Sequence, residues 1–444
     1  MYFLASLAMY VFAPDEFNYN FCLVSSCLYL LIGIDSIFQY KNKTGWLNFS
    51  VLFTVFLFVT SFLVPLVLYS DGAYTFYSSY ICKATSLCSL ALCVYYMGRR
   101  MPLSKSDIRK HNFRVTRSMV TICNVLTIGV MILYLISFRS FLSLSDSSSN
   151  DIQDRYWVTL LFSVPTLSLL LSTVYNRETI FGLRTFVSKN MVSLISITIA
   201  IISSLYIGDR TIPLYLSFCI LFVYIKFIKP IRPIIFLSLV LSAGLLFYIV
   251  GQTRKGDNSI REAGIAGVLS YESSENNFID YFADFYPSSE ASYLFVQWRE
   301  NRGEQLYYPG KFFIYLVSPI PFLPSFLAKA FYGVPFSQLS SGYLSTAQYN
   351  KYIRSINGGI GTHAVGDIYV SWGLLGVIAL FYLLGVVVGS SFKSCQINIF
   401  STIVYMSLFA DAVYMARASL FDCYRTIVFQ ILLYLIIKQI SVNR

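Results

Sequence analysis

Residues 367–389 read DIYVSWGLLGVIALFYLLGVVVG, an apolar run in which Asp367 is the single charged residue. A helix of about 20 apolar residues crosses a bilayer core about 30 Å thick, so this run predicts a transmembrane helix. Comparable runs recur along the whole chain and predict an all-α polytopic integral membrane protein with about 11–12 transmembrane helices. The other spans are predicted near residues 17–40, 46–69, 77–97, 119–138, 157–175, 191–207, 212–228, 234–250, 397–416 and 426–440, with a short additional candidate at 2–13.

The composition excludes an ordinary water-soluble protein. Of the 444 residues, 56% are hydrophobic and 12% are charged, whereas about 25% of the residues of a soluble domain are charged. The formal net charge is +11, from 33 Lys and Arg against 22 Asp and Glu. Residues 251–366 contain nine residues of each sign, so the positive excess lies in the helices and the other loops. This distribution argues against a nucleic-acid-binding protein.

The basic residues orient the predicted helices. Residues 98–118 hold seven Lys and Arg and one Asp, which places this loop in the cytoplasm by the positive-inside rule. Alternation from this loop puts four further basic loops on the same side, the long loop in the periplasm and the C-terminus in the cytoplasm. We therefore expect an N-terminal transmembrane bundle of about eight or nine helices (1–250), a large periplasmic loop with interfacial or re-entrant helices (251–366) and three C-terminal transmembrane helices (367–444).

Neither a disulfide framework nor a metal site is predicted. The nine cysteines fall almost entirely in apolar segments, where Cys behaves as a small hydrophobic residue, and none lies in residues 251–366. His363 has no Cys or acidic residue nearby at the spacing of metal ligands. The chain also lacks a Walker loop and a His-Glu-x-x-His helix, which argues against nucleotide hydrolysis and zinc proteolysis.

Four arginines at the predicted outer ends of helices are candidates for binding a phosphate or pyrophosphate group. The guanidinium group presents its donors in a fork that matches phosphate oxygens, and outward-facing arginines run against the positive-inside rule. Each could instead pair with a nearby acid or extend to lipid headgroups. The four are Arg210, Arg254, Arg417 and Arg425.

His363 is the first candidate for accepting a proton. It directly precedes a predicted outer helix end, and its ordinary pKa of about 6.5 suits proton removal from a hydroxyl group. A hydrogen-bonded structural histidine is the alternative. Asp367 and Glu290 are further candidates, although Asp367 is also explained by the dipole of the helix it begins and Glu290 by simple solvation.

Aromatic side chains near these positions could bind a substrate. Sugar faces stack on such rings, but the same residues are common in membrane-interface belts and in protein cores. The candidates are Tyr286, Trp298 and Tyr369.

Three short motifs, together with the hydropathy of nearly the whole chain, resemble the bacterial O-antigen polymerases (Wzy), membrane enzymes that join lipid-linked oligosaccharide repeat units. They are Ile207–Arg210, Pro319–Pro324 and Gly366–Gly376. In the family pattern Gly-Glu-x-Tyr-x-x-x-Gly-x-x-Gly, this chain has Asp367 in place of the glutamate. By its place before the helix, His363 resembles the histidine of the related O-antigen ligases.

The resemblance implies polymerisation of undecaprenyl-pyrophosphate-linked repeat units by inverting glycosyl transfer at the periplasmic face of the bacterial inner membrane. It implies no metal, nucleotide sugar or other cofactor. The four arginines would bind the pyrophosphate, and His363, or failing it Asp367 or Glu290, would accept the proton of the acceptor hydroxyl. The implied partners are the lipid-linked donor and acceptor and the bilayer, with a chain-length regulator protein as a further candidate.

Three other functions remain open at this point. An O-antigen ligase differs from a polymerase in its acceptor, which composition does not reveal. Another glycosyltransferase for lipid-linked sugars could use Asp15 and Glu16, but the late position of the long loop favours the polymerase or ligase plan. A flippase for the same lipids would need cations along a central path, whereas the candidate arginines are predicted at outer helix ends.

Overall fold

The computed structural model describes residues 1–44, 46–68, 80–101, 115–145, 152–207, 211–232, 234–235, 286–303, 305–320, 322–352, 360–395 and 397–442. Within these ranges the chain is helical and contains no strand, which confirms the predicted all-α class. The helices are α1 (Tyr2–Val11), α2 (Tyr19–Thr44), α3 (Phe49–Leu63), α4 (Ile81–Arg100), α5 (Arg117–Ser145), α6 (Ile152–Tyr175), α7 (Leu183–Lys189), α8 (Met191–Ile207), α9 (Thr211–Phe227), α10 (Tyr286–Glu300), α11 (Lys311–Leu316), α12 (Leu323–Tyr332), α13 (Ser341–Tyr352), α14 (Ala364–Ser394), α15 (Ile399–Met415) and α16 (Asp422–Val442).

Among the described residues, six helical segments are long and apolar enough to cross a membrane, which confirms a polytopic membrane protein. Helices α7 and α8 meet at 89° and would form a seventh, broken span. Shorter apolar helices coincide with other predicted segments, and most of the predicted span 234–250 lies outside the described residues. The six segments are Tyr19–Gln39, Phe49–Leu66, Ile81–Arg100, Arg117–Ile136, Ala364–Ser394 and Cys423–Val442.

The chain divides into two compact units that draw on distant parts of the sequence. Unit 1 comprises Met1–Phe113, Asn150–Tyr156 and Asp284–Val428, and unit 2 comprises Arg114–Ser149, Trp157–Ala283 and Phe429–Arg444. Helices far apart in sequence therefore pack together in unit 1. The division of the chain by membrane side stays a prediction.

Unit 2 contains hydrogen bonds between apolar helices. The Ser168 hydroxyl donates to Asn124 Oδ1 at 2.6 Å, and the Gln430 amide donates to Thr166 Oγ1 at 2.9 Å. Hydrogen bonds of this kind link helices where no water is present to satisfy the polar groups.

Unit 1 is organised around the close approach of α4 and α14. A Cβ atom added to Gly385 would lie 2.0 Å from the carbonyl oxygen of Tyr95, and one added to Gly98 would lie 2.1 Å from that of Tyr382. These glycines let the two backbones touch, as small residues commonly do between membrane helices. Helix α3 joins them through Phe53, whose ring lies 5.7 Å from the ring of Tyr95.

Replacing Gly385 with valine is expected to reduce sharply the amount of folded protein in the membrane. The new side chain would meet backbone atoms of α4, which cannot rotate away, so the helices must separate at a cost of about 1–3 kcal/mol or more. The matched control is Gly129→Val in α5, where an added Cβ has nothing within 4 Å. Quantitative immunoblotting of membranes measures both variants, and equal accumulation would contradict the close approach.

The described part of the predicted long loop is helical and includes its own apolar cluster. Helices α10 to α13 fall within residues 286–352, and Pro324, the last residue of the Pro-rich motif, lies in the first turn of α12. Buried Ile314, Ala328, Phe336 and Leu339 form one cluster. The side chains of α11, α12 and the 3-10 turn that follows are therefore held by apolar packing.

Candidate functional site

The N-terminus of α14 lies beside several other segments of unit 1. The backbone N–H of Ala364 donates to the carbonyl of Ala416, 3.4 Å away in the turn that follows α15. Helix α10 packs along the same part of α14, and its last residue, Glu300, contacts Lys83 in the first turn of α4. This end of α14 carries three of the residues singled out by sequence, His363, Asp367 and Tyr369.

His363 caps α14 and is completely buried. Its Nδ1 accepts the backbone N–H of Gly366 at 3.4 Å, so the ring proton belongs on Nε2, which lies 3.1 Å from the Ser61 hydroxyl. Burial lowers the pKa of His363 to about 3. Both ring nitrogens are thus engaged in an uncharged imidazole, and this geometry favours a positioning role over proton transfer.

The buried imidazole predicts a specific pH dependence of stability. In the unfolded chain His363 has its ordinary pKa of about 6.5, so protonation favours unfolding as the pH falls from there toward 3. At pH 5 the loss is about 2 kcal/mol relative to pH 7.5. His363→Asn, whose side-chain oxygen can still cap the helix, should lose less stability between these pH values. Thermal unfolding in detergent compares the two proteins, and identical pH profiles would contradict the buried neutral histidine.

Asp367, in the first turn of α14, forms a fully buried ion pair. Its Oδ1 lies 2.6 Å from Lys311 Nζ, and the two side chains are 2% and 0% exposed. The Lys311 ammonium also lies 5.5 Å from the ring centres of Tyr307 and Phe312. Each charge is compensated locally, as burial in a medium of low dielectric constant requires. The Asp367 carboxylate, which the sequence suggested as an alternative base, is therefore already paired with Lys311.

Helix α14 is interrupted at Gly373, which has φ +69° and ψ −163°. The carbonyls of Tyr369 and Val370, in the turn before Gly373, accept hydrogen bonds from outside the helix. Arg299 Nη1 donates to the first at 3.2 Å, and the Tyr307 backbone N–H donates to the second at 2.9 Å. A side chain at position 373 would collide with the Arg299 guanidinium, 2.7 Å from the ideal Cβ position. Glycine therefore allows both the backbone conformation and the seating of a buried arginine.

A second, partly exposed polar cluster surrounds Glu300. Its Oε1 lies 2.6 Å from Lys83 Nζ and accepts the Tyr369 hydroxyl at 2.9 Å. The Tyr10 hydroxyl lies 2.8 Å from that of Tyr369 and extends the chain of hydrogen bonds to α1. The side chains of Lys83 and Glu300 are 23% and 22% exposed. This carboxylate is positioned by two donors and still reachable from outside.

The other predicted site residues are distributed as follows. Three of them belong to α10: Tyr286 is the first residue of the helix, Glu290 is buried, and Trp298 lies near the end. The Trp298 ring is edge-on to the Tyr307 ring, with 5.7 Å between the ring centres. Arg417 follows Ala416 in the turn beside the N-terminus of α14, and Arg425 lies in α16. Arg210 and Arg254 lie outside the described residues.

Sequence reasoning missed the residues that most directly surround Asp367 and Tyr369, namely Lys83, Arg299, Glu300 and Lys311. For Lys83 a signal was available, because a lone cation inside a predicted span is commonly functional or paired. Lys311 stands similarly alone in the run Lys-Phe-Phe-Ile-Tyr-Leu. Arg299 and Glu300 carry no such signal, since they belong to a locally charged segment.

Among the described residues, no group of three or more His, Cys, Asp or Glu side chains is arranged to hold a metal ion. The two ion pairs and the tyrosine hydroxyls gather several hydrogen-bond donors and acceptors at this end of unit 1.

A family model described as O-antigen polysaccharide polymerase Wzy matches residues 1–443. No curated protein and no solved structure matches the chain.

Proposed function

Because the chain belongs to the O-antigen polysaccharide polymerase Wzy family, we propose that it joins undecaprenyl-pyrophosphate-linked repeat units at the periplasmic face of the bacterial inner membrane. Family membership supports O-antigen polymerisation in general, on lipid-linked oligosaccharides in a membrane. The proposed membrane face rests on the positive-inside orientation, which puts the N-termini of α4 and α14 on the periplasmic side.

The observation that carries the proposal is the accessible carboxylate of Glu300 between Lys83 and Tyr369. A general base must reach the acceptor hydroxyl. His363, Asp367 and Glu290 are buried, whereas the Glu300 side chain is 22% exposed. We therefore propose Glu300 as the base, in place of the three candidates favoured by sequence.

In the proposed reaction, the acceptor hydroxyl oxygen attacks the anomeric carbon of the donor from the side opposite the pyrophosphate. The carbon–oxygen bond to the pyrophosphate breaks, the configuration inverts, and the hydroxyl proton passes to Glu300. The Tyr369 hydroxyl and the Lys83 ammonium hold the carboxylate in one orientation. A base of this kind contributes about 10²-fold to 10⁴-fold, so positioning and charge stabilisation supply the rest.

We propose that arginines stabilise the charge that develops on the pyrophosphate, without a metal ion. The position of Arg417 supports this role. The carbonyl of the preceding residue, Ala416, accepts the backbone N–H of Ala364, so Arg417 lies next to the N-terminus of α14. Oriented cations of this type stabilise a leaving group in the way that a divalent ion does elsewhere. Arg425, Arg210 and Arg254 remain proposed ligands of the same group.

Gene deletion in the native host tests the proposed function. We expect the ladder of long surface polysaccharide to disappear from gels while lipid A–core carrying one repeat unit remains, and wild-type complementation to restore the ladder. Loss of every capped species, the single unit included, would instead indicate a ligase, a flippase or an earlier glycosyltransferase.

A further inference from the structure

A small open cavity lies beside the end of α10, next to the proposed base along the chain. Its volume is about 130 Å³, several times the roughly 10–15 Å³ that a single water needs. It therefore admits a ring-sized polar group. The described lining residues are Gln297, Trp298, Asn301, Arg302, Gln348 and Lys351.

The cations of the lining favour an anionic group. Arg302 and Lys351 are both exposed, and none of the six described lining residues is acidic. The central guanidinium carbon of Arg302 lies over the indole of Trp298, 5.0 Å from the ring centre, so the cation is held against an aromatic face of the lining. An arginine and a lysine together match a carboxylate or a phosphate.

The amides of the lining distinguish between these two anions. Three of the six residues are Gln or Asn, and each amide has an acceptor oxygen as well as donor hydrogens. Asn301 Oδ1 already accepts the Tyr80 hydroxyl. A phosphate only accepts hydrogen bonds from its partners and would offer no donor to the amide oxygens of Gln297 and Gln348. Sugar hydroxyls both donate and accept, so a hydroxyl-bearing ring with one carboxylate satisfies amides and cations together.

We propose that this cavity binds an acidic sugar residue, a pyranose ring with one carboxylate, in the oligosaccharide of the lipid-linked substrate. The proposal rests on the proposed function. Asn301 and Arg302 directly follow Glu300, and the Tyr80 hydroxyl donates to Asn301 Oδ1 at 3.2 Å, which fixes the segment between base and cavity. A sugar held here would select repeat units by charge as they reach Glu300.

Ligand-observed saturation-transfer NMR on the full-length protein in lipid nanodiscs tests the site, with glucuronate and glucose as probes. We expect transfer to glucuronate and much weaker transfer to glucose. Arg302→Gln and Lys351→Gln should each weaken glucuronate binding about tenfold, because each removes a charge-assisted contact. The matched control is Lys329→Gln on α12, an exposed lysine outside the lining that should leave binding unchanged.

Three results would overturn the acidic-sugar site. They are equal binding of glucose, displacement of glucuronate by equimolar inorganic pyrophosphate, and absence of any transfer to glucuronate. The assay requires no polymer formation, so its failure is separate from failure of the gene-deletion test. Glu300→Gln should still bind glucuronate, because Glu300 does not line the cavity.

Discussion

Glu300→Gln is expected to abolish the polysaccharide ladder while the single capped repeat unit persists. Glutamine has nearly the same shape and retains an oxygen for the Tyr369 hydroxyl, but it cannot accept the proton of the attacking hydroxyl. Loss of a general base lowers the rate about 10²-fold to 10⁴-fold, so we expect long chains to be lost first. The measurement is the gel profile of surface polysaccharide from a deletion strain carrying the variant, with protein level checked by immunoblot.

The matched control for this substitution is Glu178→Gln. Glu178 is an exposed glutamate in the 3-10 turn after α6 and should leave the ladder unchanged. Tyr369→Phe should give an intermediate loss, because it removes one of the two donors that orient the carboxylate. A full ladder in Glu300→Gln, combined with loss of the ladder in His363→Ala at normal protein level, would assign the base to His363 and refute our choice.

Lys311→Met is expected to remove most of the folded protein from the membrane. The substitution leaves the Asp367 carboxylate buried without its counter-ion, and breaking a buried pair from one side costs about 3–5 kcal/mol. That is a large share of the roughly 5–15 kcal/mol by which a typical protein is stable. Thermal unfolding in detergent and the yield of monodisperse protein measure the effect.

A double variant separates a structural ion pair from a catalytic one. Lys311→Met with Asp367→Leu removes both charges at similar volume and should recover much of the lost stability. Lys329→Met, on the exposed face of α12, is the matched control and should behave as wild type. If Lys311→Met accumulated normally and lost only polymer formation, the ammonium would have to contact substrate, and the structural account would be wrong.

Hydropathy predicted the helical class and most described helices because the length of an apolar run limits whether it can cross a bilayer. The start of α14 could be predicted in the same way, since His363 and Asp367 lie at the boundary between a polar segment and an apolar one. The sequence also placed Tyr369 in the candidate site, although as a ring for stacking. That role of the ring stays a prediction, and the structure shows in addition that the Tyr369 hydroxyl links Tyr10 and Glu300.

The base that we propose, Glu300, differs from the candidates that the sequence suggested because of its contacts and exposure. From sequence, His363 is a titratable residue at an outer helix end, and nothing local distinguishes an exposed imidazole from a buried one. In the structure His363 is buried. Its Nε2 contacts the hydroxyl of Ser61, which is 302 positions away in the sequence, and its Nδ1 accepts the backbone N–H of Gly366. In the sequence, Glu300 is one of nine acidic residues in residues 251–366, and nothing local distinguishes it from the others. Only the structure shows that Lys83 and Tyr369 contact its carboxylate.

The sequence by itself determined that this is a helical membrane protein, because insertion into a bilayer depends on apolar length and flanking charge within each segment. The tertiary structure alone decided which charges meet. Lys83 with Glu300 and Lys311 with Asp367 are pairs from separate helices, and Gly373 leaves room for Arg299 from another helix. Such pairings follow from the direction in which helices pack, and in unit 1 that direction depends on the glycine contacts between α4 and α14 as much as on polarity.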